Sequence, residues 1–230
     1  MNYFAHALPF LDQPYFLAGT GVPDWMTVAD RPARLRSRHA ELFQGDADPC
    51  VAAVAGGVLQ HLRDDAHFHA TRAFAETSLE LAVRVRDALA AEPGMRPAFL
   101  GHLLVELLLD DALIAEQPDR LTEYYRILGE VDPALVEAAV NRMLPRPTHR
   151  LAVFIALFYR ERILWNYRED DTLLMRLNQI MRRVRLAPLP DEFAALLPAA
   201  RKLVSARKDA LLEGIPTQPV NSQLPVARDP

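Results

Sequence analysis

The sequence predicts an all-α fold, a single multi-helix domain of about eight to ten helices, from three observations. Apolar residues recur at helical spacing along most of the chain. Proline stands repeatedly at positions where helices begin or have just ended. No stretch alternates apolar and polar residues for long enough to form the half-buried strands of a sheet.

Four helices are predicted in the N-terminal half, because proline suits the first turn of a helix and cannot continue one past its end. They run from Asp30-Arg31-Pro32 to about Phe43, from Asp48-Pro49 through Leu62, from about Ala70 to Ala91 before Glu92-Pro93-Gly94, and from Pro97 to Gln117-Pro118.

Five further helices are predicted in the C-terminal half. Two of them are short, two are long and amphipathic, and the last begins at a Pro-Asp pair. They cover Asp119 to Glu130, Pro133 to Met143, His149 to Tyr167, Asp171 to Arg185, and Pro190-Asp191 to Glu213. The domain is therefore expected to span residues 1–215, and residues 216–230, rich in Pro, Gln, Asn and Ser, are expected to form a flexible tail.

Charge and composition argue against several classes of partner and location. The formal net charge of −4 does not suit a surface that binds nucleic acid. The most apolar stretch, residues 98–114, contains four ionisable side chains that would be costly in lipid, so no membrane span is expected. Cys50 is the only cysteine, which excludes an internal disulfide and a cysteine-based zinc cluster. Because the N-terminus also lacks the pattern of a signal peptide, the cytoplasm is the expected location.

Histidine and carboxylate pairs form the strongest functional pattern. His61 and Asp65, and likewise His102 and Glu106, lie four residues apart, a spacing that puts both side chains on one face of a helix. Imidazole with carboxylate is a ligand set that suits zinc, manganese or iron. Two such pairs on two predicted helices favour a centre for a divalent metal ion. Three further candidate ligands complete the set: His69, Asp24 and His6.

The same spacing has a simpler interpretation, because a single His–carboxylate pair is usually an interaction on a helix surface. The second pair, however, is embedded in leucines, and a buried imidazole and carboxylate need polar partners. A metal ion would supply those partners, and a buried ion-pair network would supply them as well.

Four short segments of the N-terminal half carry a family resemblance. They are Met1-Asn2-Tyr3-Phe4-Ala5-His6, Gly19-Thr20-Gly21-Val22-Pro23-Asp24-Trp25, Gly57 to Asp65, and Glu106-Leu107-Leu108-Leu109-Asp110-Asp111. Together they resemble the acyl-carrier-protein phosphodiesterase family of HD-domain-like metal hydrolases. The resemblance implies cleavage of a phosphopantetheine-type or other small phosphodiester, with acyl carrier protein as a partner. This chain has Asp111 where that family has a histidine, and His69 where it has an acid.

The order of the candidate ligands is also similar to that of the zinc-dependent phospholipase C and single-strand nuclease group, which is all-α as well. Here the order reads His6, Asp24, His39, His61 with Asp65, His67 or His69, and His102 with Glu106. That group uses the N-terminal residue of its mature chain as a ligand, and nothing in this sequence indicates the same. Both resemblances imply hydrolysis of a phosphate ester at a metal centre.

Two residues are candidates for catalytic roles beside the metal. Asp24, expected in a loop between Pro23 and Trp25, would orient the attacking water as a base, or it is a turn or helix-capping carboxylate. Arg63 would bind an anionic substrate, because a guanidinium group matches phosphate in two hydrogen bonds, or it pairs with Asp64.

The sequence therefore predicts a metal-dependent phosphodiesterase or related phosphoester hydrolase. The alternative is a non-catalytic helical scaffold or interaction protein with a vestigial or structural metal site, which the aspartate at position 111 favours. An oxygen-activating bundle ranks below both, because the paired E-x-x-H signatures of such sites are missing. The long apolar faces of the C-terminal helices would also suit a homodimer.

Overall fold

The computed structural model describes residues 1–89 and 94–215, and these residues form an all-α structure without a β-strand. They contain eleven α-helices, slightly more than the sequence predicted. The helices are α1 Tyr3–Ala7, α2 Pro14–Ala29, α3 Ser37–Ala40, α4 Pro49–Ala70, α5 Arg72–Ala88, α6 Pro97–Glu116, α7 Pro118–Leu128, α8 Pro133–Met143, α9 Leu151–Glu161, α10 Asp170–Arg183 and α11 Leu197–Leu212. Short 3₁₀ helices cover Leu8–Phe10, Glu41–Phe43, Ile163–Tyr167 and Asp191–Leu196. The predicted tail, residues 216–230, lies outside the described residues.

Proline in the first turn opens most of the longer helices, as the sequence predicted. At two of these starts the preceding aspartate also caps the helix. Asp48 accepts a hydrogen bond from the backbone N–H of Cys50 at 2.9 Å, and Asp132 accepts one from that of Ala134 at 2.8 Å. Each cap satisfies a backbone donor that the helix itself leaves unpaired, so the Asp-Pro pattern defines the starts of α4 and α8.

α2 is a helix that the sequence analysis missed, and the predicted helix from Asp30 to Phe43 is wrong in its first half. α2 is apolar on most of its surface and contains Pro23, so it has neither an amphipathic pattern nor an uninterrupted helical run. Asp30 ends α2 and does not begin a helix. Pro32 then follows at the position where proline commonly stands after a helix end. Only residues 37–43 of the predicted segment are helical.

α2 and α4 pack backbone to backbone, and two glycines make this contact possible. A Cβ atom on Gly19 would lie 2.5 Å from a carbonyl oxygen of α4, and one on Gly57 would lie 2.1 Å from a carbonyl oxygen of α2. A larger residue at either position would force the helices apart. The crossing brings Thr20 of α2 beside His61 of α4, one turn along from Gly57.

Asp110 of α6 holds the short helix α1 in place. Its two carboxylate oxygens accept hydrogen bonds from the backbone N–H groups of Phe4, at 2.9 Å, and Ala5, at 2.8 Å. These N–H groups belong to the first turn of α1, where a helix has no acceptors of its own and where negative charge is favourable. α1 is therefore attached to α6 through a side chain more than a hundred residues away.

Asp111, the next residue of α6, joins that helix to the C-terminal part of the fold. Its carboxylate lies 2.6 Å from the guanidinium group of Arg168 and also contacts Arg201. Arg201 on α11 lies 2.8 Å from Asp170, at the start of α10. Among the described helices, none combines the length and the apolar character needed to cross a lipid bilayer.

Candidate metal centre

The predicted ligand pairs converge in the structure into two groups of three side chains, supplied by α1, α4 and α6. The first group consists of His6, His61 and Asp65, and the second consists of His69, His102 and Glu106. Within each group, the nitrogen and oxygen atoms that can bind a metal ion lie within 4.8 Å of one another. Each pair with four-residue spacing therefore shares one face of its helix, as predicted, and gains one more histidine from another part of the chain.

The first group is buried, with its carboxylate beside two imidazoles. Asp65 Oδ1 lies 3.2 Å from His6 Nε2, and Asp65 Oδ2 lies 3.4 Å from His61 Nε2. The two imidazole rings stack with their centroids 4.0 Å apart. Both histidines are almost fully buried, whereas the side chain of Asp65 is 28% exposed, so the group opens to solvent on the carboxylate side.

Hydrogen bonds on the far side of each imidazole orient the first group. His61 Nδ1 donates to the carbonyl oxygen of Thr20 at 2.8 Å, since a carbonyl can only accept. His6 Nδ1 lies 3.4 Å from Asp64 Oδ2, and Asp64 Oδ1 accepts from Gln60 Nε2 at 2.8 Å. A neutral imidazole held in this way has its lone pair on Nε2, where a metal ion can bind, whereas a protonated Nε2 donates to Asp65. Histidines that bind metals in proteins are usually held in this way, by a carbonyl or carboxylate on the opposite ring nitrogen.

The second group is more exposed. Glu106 Oε1 lies 2.9 Å from His69 Nε2 and 3.3 Å from His102 Nε2. The Phe74 ring packs against both imidazoles, with centroid distances of 4.8 and 4.9 Å. The side chains of His69 and His102 are 31% and 44% exposed. This group is therefore open to solvent, and an aromatic contact positions its two rings.

The amino group of Met1 connects the two groups. Its nitrogen lies 2.7 Å from Asp65 Oδ1 and 3.4 Å from Glu106 Oε1. Burial lowers the pKa of this amino group, but the charges of Glu106 and Asp65 outweigh that effect and raise it. The two carboxylates thus face a common point at which positive charge is favourable. Nothing in the sequence indicated a role for Met1, and only the tertiary fold brings its amino group to the two carboxylates.

The histidines keep both carboxylates ionised. Burial by itself raises the pKa of Glu106, but hydrogen bonds from the two histidines of its group outweigh burial, and the pKa falls to about 2. For Asp65, burial is likewise outweighed by hydrogen bonds from the histidines of the first group, which hold its pKa far below the usual range. Both side chains are therefore anionic, as metal ligands must be, at any pH near neutrality.

Asp24 lies beside the first group, but on α2 and not in a loop as predicted. Burial raises the pKa of its carboxyl group, and the nearby charges of His61 and His6 offset this only in part. The pKa of His61 is lowered by burial and raised more strongly by the negative charges of Asp24 and Asp65. A carboxylate with a raised pKa is a stronger base than an ordinary one, which suits it to accept a proton from water.

Two cavities meet at Asp24. The larger one, of about 680 Å³, is lined by His61 and Asp65 of the first group. The smaller one, of about 200 Å³, is lined by Glu106 of the second group. Asp24 and Arg183 line both, so the cavities adjoin. Most other walls of the smaller cavity are apolar or aromatic: Tyr3, Leu103, Leu107, Phe154, Phe158 and Ile163.

Arg63, which the sequence analysis placed in the site, lies outside it. It stands two residues from His61 and two from Asp65, a spacing that turns its side chain to the other face of α4. There it is exposed and lines neither cavity. Its alternative partner Asp64 is bonded to other residues. The site role predicted for Arg63 therefore has no support in the structure.

Three other arginines reach the larger cavity, and the sequence analysis assigned none of them to the site: Arg31, Arg34 and Arg183. In the sequence they belong to two separate basic stretches, of a kind that usually forms a solvated face. No spacing pattern connects the two stretches, because only the tertiary fold brings them together.

Several residues named by the family resemblances lie outside both groups. Asp111, at the position of a family histidine, forms ion pairs with Arg168 and Arg201. His67 Nε2 donates to the carbonyl oxygen of Glu213 at 2.9 Å, and His67 belongs to neither ligand group. No family model, curated protein or solved structure matches this chain. Function must therefore be inferred from the geometry and chemistry of the centre itself.

Proposed function

We propose that this protein is a metal-dependent hydrolase of phosphate esters, acting on small phosphodiesters. The observation that carries the proposal is the pair of His–His–carboxylate groups facing one another around the Met1 nitrogen. Two-metal hydrolases hold their ions about 4 Å apart. Two carboxylates that both contact a single nitrogen are close enough to serve such a pair of ions.

The donor atoms fit a divalent transition metal. Each group offers two imidazoles and one carboxylate, a set that suits zinc, manganese or iron and leaves coordination positions for water and substrate. The hydrogen bonds behind His6 and His61 are those expected around a bound metal. When bound, the ion would polarise a phosphoryl oxygen and lower the pKa of a water molecule.

The protein's own side chains supply the remaining functions. Asp24, with its raised pKa and its position at the junction of the two cavities, accepts the proton of the attacking water. The smaller, apolar cavity receives one arm of the phosphodiester, and the larger cavity receives the other. An acyl carrier protein as the natural substrate, and the cytoplasm as the location, remain proposals that rest on the sequence alone.

The first test is the metal content of protein purified without a tag. We expect near-stoichiometric Mn, Zn or Fe in the wild type and a clear loss in His61→Ala. His149→Ala is the matched control, because His149 is exposed and belongs to neither group. Removal of the metal by a chelator should also lower the melting temperature, since a ligand that binds only the folded state stabilises it.

The second test is turnover of bis(p-nitrophenyl) phosphate by the metal-loaded protein. Asp24→Asn should lower kcat by roughly 10²–10⁴-fold, the range for loss of a general base, while the metal content stays at the wild-type level. A protein that binds no metal, and whose melting temperature does not respond to Mn, Zn or Fe, would contradict the centre itself. A metal-loaded protein without turnover would instead favour a scaffold with a structural metal site.

A further inference from the structure

The larger cavity is lined by arginines as well as by residues of the first ligand group. Its volume is about 680 Å³, and His61 and Asp65 contribute to its lining. Arg31 and Arg34, from the segment after α2, and Arg183, near the end of α10, line the same cavity. Its size falls within the range of small-molecule sites, about 300–1,000 Å³.

None of these three guanidinium groups takes part in a hydrogen bond or an ion pair in the described part of the chain. Arg168 and Arg201, by contrast, both contact Asp111, and Arg201 also pairs with Asp170. Asp24 and Asp65 line the same cavity but form no ion pair with its arginines. An anion in the cavity would therefore meet three guanidinium groups that have no ion-pair partner in the described residues.

Most of the remaining lining of this cavity is apolar, and Met26, Val28, Leu35, Leu62 and Val184 contribute to it. A ligand that fills the cavity would therefore meet the candidate metal ligands, an apolar surface and guanidinium groups. Guanidinium groups bind phosphate and carboxylate with two parallel hydrogen bonds, which favours an anionic group beside the arginines.

We propose that the substrate carries a second anionic group, which Arg31, Arg34 and Arg183 bind while its reacting phosphate lies at His61 and Asp65. This inference rests on the proposed function for the position of the reacting phosphate. It narrows the substrate class to small phosphodiesters that bear a further phosphate or carboxylate beyond an uncharged linking portion. The arginines thus determine specificity, and they take no part in the chemical step.

Binding can be measured apart from catalysis with two nucleotides that differ by one phosphate. Thymidine 3′,5′-bisphosphate and thymidine 5′-monophosphate would be titrated by calorimetry into the metal-loaded full chain. We expect the bisphosphate to bind about tenfold more tightly or better, the gain typical of charge-assisted hydrogen bonds. Arg34→Gln and Arg183→Gln should each reduce that preference severalfold, and the double variant should abolish it.

Arg182→Gln is the matched control, because Arg182 precedes Arg183 on α10, is exposed, and lines neither cavity. It removes the same charge and should keep the preference for the bisphosphate. Equal affinities in the wild type, no binding of either nucleotide, or an unchanged preference in the Arg34/Arg183 double variant would each overturn the inference.

Turnover of the chromogenic phosphodiester distinguishes failure of this inference from failure of the proposed function. If turnover is normal but the extra phosphate brings no gain, the hydrolase stands and the second anion site is wrong. If the bisphosphate is preferred through the two arginines but no phosphodiester is cleaved, the anion site stands and the hydrolase proposal fails.

Discussion

His6 and Asp64 are hydrogen-bonded across 58 residues of sequence, with Nδ1 of the imidazole 3.4 Å from Oδ2 of the carboxylate. The other oxygen of Asp64 accepts from Gln60. Asp64 therefore serves two donors at once and fixes the ring of His6 with its Nε2 toward Asp65. Asp64 belongs to neither group of candidate ligands, yet it determines how the His6 ring is presented to the first group.

Asp64→Asn should weaken metal binding by about 10–100-fold, the usual effect of losing a partner behind a ligand histidine. The single amide oxygen of asparagine can serve only one of the two donors, so either His6 or Gln60 would face an N–H group. Competition with a chelating dye would measure the affinity, and circular dichroism would verify the fold. Asp87→Asn, an exposed aspartate on α5, is the control. Unchanged affinity in Asp64→Asn would refute this positioning role.

Asp110 should make the metal-free protein less stable as the pH rises from about 4 to about 7. Burial raises the pKa of Asp110 to about 7, although the backbone N–H groups of Phe4 and Ala5 partly oppose this. A carboxyl group whose pKa is higher in the folded than in the unfolded state contributes stability below its unfolded pKa, and that contribution disappears as the pH passes the folded pKa.

The check is a series of urea melts between pH 4 and pH 8, with chelator present, on the wild type and Asp110→Asn. Asparagine resembles the protonated acid, so the variant should lose less stability than the wild type over this range. Over the whole range, the wild type should lose a few kcal/mol more of its free energy of unfolding than the variant, at about 1.4 kcal/mol for each unit of pKa shift. Parallel slopes would mean that Asp110 does not titrate in this range.

Gly57→Ala should destabilise the protein because of the close crossing of α2 and α4. The added Cβ would lie 2.1 Å from a backbone oxygen, and backbone cannot move aside as a flexible side chain can. We expect a loss of about 2–3 kcal/mol in the free energy of unfolding, despite the better helix propensity of alanine. Gly45→Ala, where an added Cβ meets nothing within 4 Å, should be nearly neutral. Thermal melts would measure the melting temperatures of Gly57→Ala and Gly45→Ala. Equal melting temperatures would rule out a tight crossing of α2 and α4.

Asp111→Asn should destabilise the fold without emptying the metal centre. Asp111 pairs with Arg168 and Arg201, and removing its charge leaves Arg168 without a carboxylate partner and Arg201 with Asp170 alone. A loss of about 2–3 kcal/mol is expected, below the value for fully buried pairs because Arg168 is partly exposed. Urea melts and elemental analysis of the same preparation measure both effects. If a fully folded variant lost its metal, Asp111 would instead be a metal ligand, as the histidine at this position is in the family that the sequence resembles.

Much of the centre was predictable because helical spacing alone places its main pairs. His61 with Asp65 and His102 with Glu106 share a helix face whatever the rest of the fold does. The same periodicity explains why Arg63 was misplaced. An arginine halfway between the members of a pair with four-residue spacing faces the opposite side of the helix.

The parts that were not predicted depend on tertiary contacts or on helices without a pattern. α2 is apolar on most sides and contains Pro23, so its sequence resembles a buried loop as much as a helix, and Asp24 was assigned to a loop for that reason. Asp64, Asp110 and Met1 take their roles from residues far away in the chain, which no local spacing can indicate.

The attachment of α1 to Asp110 also sets the order in which the centre can assemble during synthesis. Residues 1–7 leave the ribosome before α6 does, yet the carboxylate that accepts from the backbone N–H groups of α1 lies more than a hundred residues downstream. Until α6 has emerged and packed, His6 has no fixed position, and Glu106 of the second group has not left the tunnel. A nascent chain that ends before α6 therefore lacks the anchor that positions His6 and two residues of the second group, so the two groups can form together only after α6 has been translated.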